Sequence, residues 1–392
     1  MKGKEYAIVG GGIVGLSLAY KLLKTGNQVT LFERESSLAF HQSGNNSGVL
    51  HSGISYPVGS LKSKLCIEGY HQMIDYCEKN KLKYSLCGKY LFASGADQYD
   101  YLEKLYSRAN KIDLKGVKIL SKAQIVREVP ELNAEKALWI PQTGIINYRL
   151  VCDNLANTII ELGGKIKLNA NILNVQGESG KICLEQDCLT FDHVIVAAGN
   201  NTLSLSSNIE LQRNYRILSI KGEYYEAPIP KTLNYCIYPL PDPNLPFLGL
   251  HCHPDRDGKI EVGPTAIICK DEYQFDKTLI TFNNLIPIVR YAEVRKMIRK
   301  NFSFTIQQIF LRFSQRYFNK QVKSFLNLAD YAWKYKRSGI RAQLVNREGE
   351  LINDFRIEFN KKATYLINVP SPAATASFAI ADYIINEINK TS

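Results

Sequence analysis

The stretch that indicates the fold lies near the start of the chain and reads Tyr6-Ala7-Ile8-Val9-Gly10-Gly11-Gly12-Ile13-Val14-Gly15. Its apolar first part predicts a buried strand, and the residues from Leu16 to Lys24 predict a helix. A second apolar run, residues 29–32, follows and ends in Glu33. A strand, a glycine-rich turn, a helix and a second strand that ends in an acidic residue are together typical of a dinucleotide-binding βαβ unit.

The residues of this predicted cofactor site have distinct physical roles. Gly10 permits the tight turn, Gly12 allows the backbone to approach a pyrophosphate, and Gly15 allows the helix to pack closely on the strand. Glu33 can accept hydrogen bonds from a ribose diol. The unpaired N–H groups at the helix N-terminus attract phosphate charge. The neighbouring residues assigned to the same site are Ile13, Val14 and Arg34.

Composition limits the class of protein. The 392 residues carry a formal net charge of +12 and can bury a large core. The first strand begins too early for a signal peptide to precede it, and no apolar run approaches the roughly 18 residues of a membrane span. We therefore expect a cytoplasmic protein. The nine cysteines are scattered without a CxxC pair, which favours reduced thiols over a disulfide framework.

A basic segment with many aromatic residues spans residues 290–337. It contains twelve Lys or Arg residues and two acidic residues, which is a net charge of +10. Such a segment could bind nucleic acid, dock on an anionic membrane, or form surface helices whose aromatic side chains face the core. We expect no nucleic-acid partner and keep the other two alternatives. On the membrane alternative, the cations that would face lipid are Arg312, Arg316, Lys320 and Lys323.

Further strands of the cofactor-binding unit are predicted at later positions in the chain. Residues 191–199 predict a buried parallel strand that ends in small residues, and residues 366–369 predict another that precedes a C-terminal helix. We therefore predict a discontinuous cofactor-binding domain, formed by residues 1–80, 146–211 and 336–392. A second domain is predicted to be inserted in two parts, residues 81–145 and 212–335.

The loop from His41 to Ile54 resembles that of the L-2-hydroxyglutarate dehydrogenases and oxidases, which are FAD enzymes of the D-amino-acid oxidase and glycine oxidase superfamily. Further matches to this family follow in order along nearly the whole chain, at residues 59–62, 87–89, 248–251, 263–266, 339–343 and 370–377. The His41 loop and the C-terminal segment that begins Pro370-Ser371-Pro372 are the most specific of these matches.

The resemblance implies an α/β fold, in which a Rossmann-like FAD-binding domain carries an inserted α+β substrate domain built on a mainly antiparallel sheet. It implies FAD without NAD, and oxidation of L-2-hydroxyglutarate to 2-oxoglutarate by hydride transfer to flavin. Electrons would pass to oxygen or to membrane quinone, so a peripheral position on the inner face of the cell membrane is compatible with it. The exact 2-hydroxy acid stays open because the chain departs from the family pattern at Asn45, Ser55, Cys252, His253 and Thr265.

The resemblance also assigns cofactor contacts. Hydroxyl groups of the His41 loop would donate to phosphate or ring oxygens, and Val175 would bind adenine through its backbone. The helix that begins near Ala373 would point at the flavin pyrimidine, where negative charge accumulates on reduction. The residues assigned in this way are Ser43, Asn46, Ser47, Gly48, Val49, Val175, Ala197, Ala198, Gly199, Pro372, Ala373, Ala374 and Thr375.

Two histidines are candidates for the base that removes the hydroxyl proton. His51 is the first candidate because it lies in a loop rich in glycine and serine, and His251 is the second. His251 and His253 could share one face of a strand, but the further ligands that a metal site requires are missing, so no metal is expected.

The carboxylates of a diacid require fixed cations in the site. Arg341 is the best candidate because a guanidinium can bind a carboxylate bidentately. Lys270 and Lys89 are further candidate cations, and Tyr56 is a candidate hydrogen-bond donor to a carboxylate.

Three alternatives remain open. The same fold could act on an amino acid, on glycerol-3-phosphate or on another 2-hydroxy acid. An NAD-linked dehydrogenase would share the glycine-rich turn, but it has no use for the C-terminal proline and alanine segment. A nucleic-acid or membrane binding protein could retain a relic flavin fold.

Overall fold

The computed structural model describes residues 3–206, 208–227, 233–241, 249–255, 258–269, 273, 290–328 and 332–391. The strands in these ranges are β1 (Glu5–Val9), β2 (Gln28–Phe32), β3 (Val49–Leu50), β4 (Tyr84–Ser85), β5 (Lys89–Phe92), β6 (Lys118–Ser121), β7 (Lys136–Ile140), β8 (Gly144–Ile146), β9 (Lys165–Lys167), β10 (Asn174–Gln176), β11 (Lys181–Cys183), β12 (Cys188–Thr190), β13 (His193–Val196), β14 (Tyr215–Glu226), β15 (Cys236–Pro239), β16 (His251–Pro254), β17 (Ile260–Gly263), β18 (Ile267–Cys269), β19 (Lys334–Asn346), β20 (Arg356–Phe359) and β21 (Ala363–Asn368). The α-helices are α1 (Ile13–Lys24), α2 (Leu61–Lys79), α3 (Tyr99–Lys111), α4 (Lys122–Glu128), α5 (Tyr148–Glu161), α6 (Thr202–Leu205), α7 (Ile209–Asn214), α8 (Ala292–Lys300), α9 (Phe302–Phe313), α10 (Gln315–Lys323) and α11 (Ala373–Thr391). Within these ranges, no helix combines the length and the apolar character that a membrane crossing requires.

A six-stranded sheet carries the elements at both ends of the chain, in the order β20-β21-β13-β1-β2-β9. Strand β1 pairs in parallel with β2 and β13, whereas β20 runs antiparallel to β21. Helices α1, α2, α5 and α11 share one apolar cluster with this sheet, in which Leu16, Met73, Leu155 and Phe378 are buried. The βαβ unit predicted from the glycine-rich stretch is therefore confirmed.

A larger, mainly antiparallel sheet of nine strands forms the second part of the molecule. Its order is β18-β14-β17-β16-β15-β5-β7-β6, and β19 also pairs with β14. Helices α9 and α10 pack against it through Leu311, Phe318 and Val322, which share an apolar cluster with Val262 of β17. This architecture matches the expected antiparallel substrate sheet.

Strand β19 shows where one domain boundary differs from the prediction. It pairs with β14 from the Tyr215–Asn346 pair to the Glu226–Lys334 pair. The prediction assigned residues 336–392 to the cofactor-binding domain, but the ladder of hydrogen bonds to β14 places residues 336–346 in the larger sheet. The rest of the domain division stays a prediction.

Cys183 and Cys188 form a disulfide in the hairpin of β11 and β12. The expectation of nine reduced thiols is therefore wrong at this pair. The two residues face each other across the antiparallel hairpin, with Cα atoms 4.2 Å apart, and a search for CxxC spacing does not detect such a pair. The other seven cysteines all lie in the described ranges and are not disulfide-bonded.

Helices α2 and α11 approach each other closely at Gly69. A Cβ atom on this residue would lie 2.5 Å from the Cα of Ala376 and 2.8 Å from the carbonyl oxygen of Thr375. The packing of α2 against the start of α11 therefore requires glycine at this position.

Gly69→Ala is expected to destabilise the protein, although alanine normally favours a helix by about 1 kcal/mol relative to glycine. The added methyl group must displace α11, and overpacking of this kind costs roughly 1–3 kcal/mol. Thermal unfolding followed by circular dichroism should have a lower midpoint than in the wild type. Glu68→Ala, at the adjacent exposed position, is the control and should leave the midpoint unchanged. A wild-type midpoint for Gly69→Ala would contradict the close approach.

Candidate active site

A cavity of about 840 Å³ lies where the carboxyl ends of the parallel strands meet the nine-stranded sheet. Open α/β sheets bind their ligands at this edge. The predicted cofactor residues in its wall are Gly10, Gly12, Ile13, Val14, Glu33, Arg34, Ser43, Asn46, Ser47, Val49, Ala197, Ala198, Gly199, Pro372, Ala373, Ala374 and Thr375. The predicted catalytic and substrate-binding residues in its wall are His51, His251, Arg341, Tyr56 and Lys89. Lys270 lies outside the described residues.

The glycine-rich turn leaves room for a ligand at the start of α1. A Cβ atom on Gly12 would meet only the Ser43 Oγ within 4 Å, at 3.0 Å. The Ser43 Oγ accepts the N–H of Ile13 at 2.9 Å, whereas the N–H groups of Val14 and Gly15 have no partner among the described residues. The positive end of the α1 dipole is therefore available to a phosphate group.

Glu33 is held in a fixed position at the end of β2. Its carboxylate accepts the N–H of Gly11 at 2.7 Å and the N–H of Glu35 at 2.9 Å. The side chain is buried and lines the cavity, so its remaining acceptor capacity can bind a diol. Next to it, the Arg34 Nε donates to the Glu35 carboxylate at 2.9 Å.

Three predicted cofactor residues do not line the cavity. Gly15 instead packs closely against the turn. A Cβ atom at this position would lie 2.0 Å from the Gly10 carbonyl oxygen, so only glycine fits. Gly48 has a φ of +70° and lies against the Ile146 carbonyl oxygen. Val175 is buried in β10, and its carbonyl oxygen accepts the Tyr365 hydroxyl at 3.3 Å.

Residues 170–173, a few positions before Val175 in the chain, line the cavity instead, and no sequence pattern indicated them. They follow β9, the edge strand beside β2. Residues just beyond the carboxyl end of a parallel strand face the ligand edge of the sheet, and this signal could have identified them.

The start of α11 forms another part of the cavity wall. The N–H groups of Ala374 and Thr375 have no partner among the described residues. The Thr375 Oγ1 accepts the backbone N–H of His51 at 3.1 Å and lies 2.8 Å from the Tyr148 hydroxyl. This helix therefore presents free N–H donors to the cavity and also fixes the loop that carries His51.

His51 is held as a neutral imidazole. Burial, together with the charges of Lys89 and Lys62, lowers its pKa to about 3. The His51 Nε2 lies 3.4 Å from the Ser371 Oγ at the start of α11. At neutral pH the ring is therefore unprotonated and able to accept a proton.

His251 is held in one tautomer by the chain itself. Its Nδ1 lies 2.8 Å from the Gly249 carbonyl oxygen, which can only accept, so Nδ1 carries the hydrogen and Nε2 stays an acceptor. The ring stacks on Tyr238 with a centroid distance of 3.8 Å. The pKa of His251 lies well below its usual value, mainly because the ring is buried. In the described ranges, no three His, Cys, Asp or Glu side chains are grouped as metal ligands.

Two cations of the cavity wall have no acidic partner among the described residues. Arg341 on β19 and Lys89 on β5 form no ion pair within the described part of the chain, and Lys89 is only 3% exposed. Burial lowers the pKa of Lys89 to about 8. Lys62 is a further cation of the wall that no sequence pattern indicated, and burial also lowers its pKa to about 8. The Lys62 Nζ lies over the ring of Tyr56, 5.2 Å from its centroid.

The chain matches a known protein family over almost its whole length. The profile of the family described as "DAO: FAD dependent oxidoreductase" matches residues 5–386. The chain belongs to this family of FAD-dependent oxidoreductases. This oxidoreductase is 33% identical over 389 residues to the L-2-hydroxyglutarate dehydrogenase of Indibacter alkaliphilus, with 96% of each chain covered. It is 32% identical to the mitochondrial L-2-hydroxyglutarate dehydrogenase of Dictyostelium discoideum, with 97% of this chain and 92% of the relative covered.

Solved structures share the fold of this oxidoreductase. The FAD-bound L-alpha-glycerophosphate oxidase of Mycoplasma pneumoniae superposes with a TM-score of 0.71 at 23% identity and covers 99% of this chain and 95% of its own. The glycine oxidase of Bacillus cereus superposes with a TM-score of 0.71 at 18% identity and covers 99% of this chain and 96% of its own. FAD is the cofactor of the family. The buried Glu33 carboxylate supplies hydrogen-bond acceptors, and the starts of α1 and α11 supply unpaired N–H donors, which are groups that a dinucleotide cofactor can bind.

Glu33→Ala is expected to weaken FAD binding because it removes the acceptor for the ribose diol. Hydrogen bonds to a charged group contribute roughly 1.5–3 kcal/mol, so the dissociation constant should rise about tenfold or more. Quenching of flavin fluorescence during titration of the apoprotein measures it. Glu5→Ala, at an exposed position at the start of β1, is the control. An unchanged dissociation constant in Glu33→Ala would contradict the role of this carboxylate.

Proposed function

We propose that this oxidoreductase converts L-2-hydroxyglutarate to 2-oxoglutarate. The proposal is supported by the relatives named L-2-hydroxyglutarate dehydrogenase, which match the chain over nearly its full length. The single observation that carries it is the pair of cations, Arg341 and Lys89, that share the cavity wall with His51 and His251 and have no acidic partner among the described residues.

Substrate binding follows from these charges. Burying a cation without a counter-charge is unfavourable, so an anion that enters the cavity offsets the cost. A diacid supplies two carboxylates. Arg341 can bind one of them bidentately, and Lys89 and Lys62 can attract the other. The Tyr56 hydroxyl, whose pKa burial raises, stays protonated and can donate to a carboxylate.

Proton removal is assigned to a neutral imidazole. His51 accepts the hydroxyl proton of the substrate, because its low pKa leaves the ring unprotonated before the substrate binds. The incoming carboxylates raise the proton affinity of the ring by supplying negative charge. His251 is the second candidate and offers its Nε2. Bound FAD would supply the acceptor for the hydride that leaves the substrate C2 atom.

The substrate assignment is tested with the purified holoenzyme in the absence of oxygen. L-2-hydroxyglutarate should bleach the flavin absorbance, whereas D-2-hydroxyglutarate, glycerol-3-phosphate and a panel of amino acids should react at least 100-fold more slowly. Faster bleaching by glycerol-3-phosphate or an amino acid would contradict the proposal and favour another substrate on the same fold.

His51→Ala should retain the flavin spectrum and lose most of the reduction rate, since general base catalysis contributes roughly 10²- to 10⁴-fold. Stopped-flow absorbance at saturating L-2-hydroxyglutarate measures the rate. His71→Ala, at an exposed position on α2, is the control. Full reduction speed in His51→Ala, with a large loss in His251→Ala, would transfer the role of base to His251.

The pH dependence of kcat/KM follows from the same groups. The His51 imidazole stays neutral well below pH 5, so no acid limb is expected between pH 5 and 7. Lys89 is charged below its pKa of about 8 and loses its charge as the pH rises, so kcat/KM should fall above about pH 8. In Lys89→Arg this limb should move to higher pH, because a guanidinium keeps its charge. If kcat/KM of Lys89→Arg falls at the same pH as in the wild type, the fall is caused by Lys62. If kcat/KM of the wild type stays constant up to pH 9.5, neither lysine has this role.

We also propose that the protein is cytoplasmic and docks on the inner face of the membrane, with quinone or oxygen as electron acceptor. Docking on the membrane is supported by helix α9, whose large apolar side chains are exposed on one side. Phe302 is 62% exposed, Phe310 is 52% exposed and Phe313 is 60% exposed. At about 100° per residue, these positions fall within roughly one quarter of the helix circumference, together with Ile306 and Ile309.

The opposite side of α9 packs against the rest of the protein. The Gln308 side chain accepts the N–H of Ala266 at 2.8 Å, and Leu311 is buried. The Arg312 guanidinium binds the buried Glu223 carboxylate at 3.0 Å, and its side chain is only 5% exposed. The expectation that Arg312 faces lipid is therefore wrong, because position 312 lies on the inward side of the helix.

Further cations lie on the two helices that precede and follow α9 in the chain. The exposed ones are Arg295, Lys296, Arg299 and Lys300 on α8, and Arg316, Lys320 and Lys323 on α10. Each cation near an anionic surface contributes about 1 kcal/mol to adsorption. Exposed phenylalanines with flanking cations fit an anionic lipid surface better than nucleic acid, since a phosphate backbone offers nothing to bury an apolar stripe.

The double variant Phe310→Glu/Phe313→Glu should lose most binding to vesicles of phosphatidylglycerol and phosphatidylcholine. Co-sedimentation with the vesicles measures it, and pure phosphatidylcholine vesicles should bind less wild-type protein. Val126→Glu is the matched control because Val126 is 65% exposed on a different helix, α4. Equal co-sedimentation of the double variant and wild type, or salt-sensitive binding to DNA without vesicle binding, would contradict membrane docking.

A further inference from the structure

Two cysteine thiols lie close together beside one of the cavity cations. The Sγ atoms of Cys87 and Cys236 are 3.9 Å apart. Cys87 precedes β5 and Cys236 begins β15, and these strands pair in parallel with Cys236 opposite Lys89. The N–H of Cys236 donates to the Gly88 carbonyl oxygen at 3.0 Å. The two thiols are therefore held together by the pairing of the strands on which they lie.

The two thiols differ in exposure. Cys87 is half-buried, whereas Cys236 and the other free cysteines are buried. The hydrogen bond with Cys236 lowers the pKa of Cys87, which favours its thiolate. A small oxidant from solvent therefore reaches Cys87 first, and Cys236 is in place as the second thiol.

We propose that Cys87 and Cys236 are a site of reversible oxidation by hydroperoxides, which join the two residues in a disulfide next to Lys89. In the first step the Cys87 sulfur attacks the hydroperoxide, the O–O bond breaks, a sulfenic acid forms and an alcohol, or water from hydrogen peroxide, leaves. In the second step the Cys236 thiol attacks this sulfur, the S–S bond forms, the S–O bond breaks and water leaves. The two sulfurs together lose two electrons, and the hydroperoxide gains them.

The movement that this bond requires is small. A disulfide has an S–S distance of about 2.05 Å, so the two sulfurs must approach by roughly 1.9 Å. The backbone between them is constrained, because the Trp139 ring occupies the space where a Cβ atom on Gly88 would lie. The approach therefore comes from rotation of the half-buried Cys87 side chain.

A source of oxidant exists if oxygen is the electron acceptor, because two-electron reduction of oxygen produces hydrogen peroxide in the adjacent cavity. This source rests on the proposed function. The test uses added hydrogen peroxide and does not depend on it.

The sequence provides a direct test by mass spectrometry. The tryptic peptide of residues 84–89 contains Cys87, and the peptide of residues 232–256 contains Cys236 and Cys252. Reduced holoenzyme, freed of reductant, is exposed to a small excess of hydrogen peroxide, alkylated under denaturing conditions and digested. The two peptides should be recovered joined, with a mass two hydrogens below their sum, and dithiothreitol should separate them.

Two variants assign the bond. Cys252→Ser should keep the joined peptides, which places the bond at Cys236, and Cys87→Ser should abolish them. Loss of the joined peptides in Cys252→Ser would overturn the pairing. Recovery of Cys87 as sulfinic acid with Cys236 fully alkylated, or full alkylation of both thiols after peroxide, would overturn the proposal.

Discussion

The site depends on one close contact, where strand β19 lies against the loop that carries cofactor residues. A Cβ atom on Gly339 would lie 2.0 Å from the Asn45 carbonyl oxygen, so only glycine allows this approach. Two residues earlier, the Arg337 Nη1 donates to the Asn46 carbonyl oxygen at 2.7 Å, while its Nε binds the buried Glu261 carboxylate at 2.8 Å. Because Arg341 lies on the same strand, this contact fixes the cation relative to the cofactor loop.

The electrostatics of the cavity follow from bringing the two sheets together. The larger sheet contributes Arg341 and Lys89, and the loop after β3 contributes His51. Desolvation and the positive charges of Lys89 and Lys62 favour the neutral form of the His51 imidazole, and desolvation lowers the pKa of Lys89. The result is a site with cations that have no acidic partner in the described ranges, beside an unprotonated base. An anionic substrate with an ionisable hydroxyl group is what such a site accommodates best.

Local signals predicted residues that the structure brings together in one cavity wall. The turn at Gly10, the acidic strand end at Glu33 and the helix start at Ala373 each depend on residues adjacent in sequence, and the structure places all three in the cavity wall. Long-range pairing was harder to predict. Val175 lies in a hairpin whose distance from the cavity depends on packing against Tyr365, and this contact joins residues nearly two hundred positions apart.

The same limit explains the other corrections. The sequence shows a cation at Arg312, but only the folded structure shows that its guanidinium binds the buried Glu223 carboxylate of β14. The Cys183–Cys188 disulfide depends on hairpin register rather than on a spacing motif. Charge and composition alone could not separate inward from outward sides of the basic helices.

A crystal structure of the FAD-bound protein with 2-oxoglutarate would show how the cavity binds a diacid. One carboxylate should lie on the Arg341 guanidinium, the other near Lys89 and Lys62, and the C2 oxygen within hydrogen-bond distance of His51 or His251. A diacid bound elsewhere, with Arg341 and Lys89 left without an anionic partner and both imidazoles distant from C2, would contradict this binding mode.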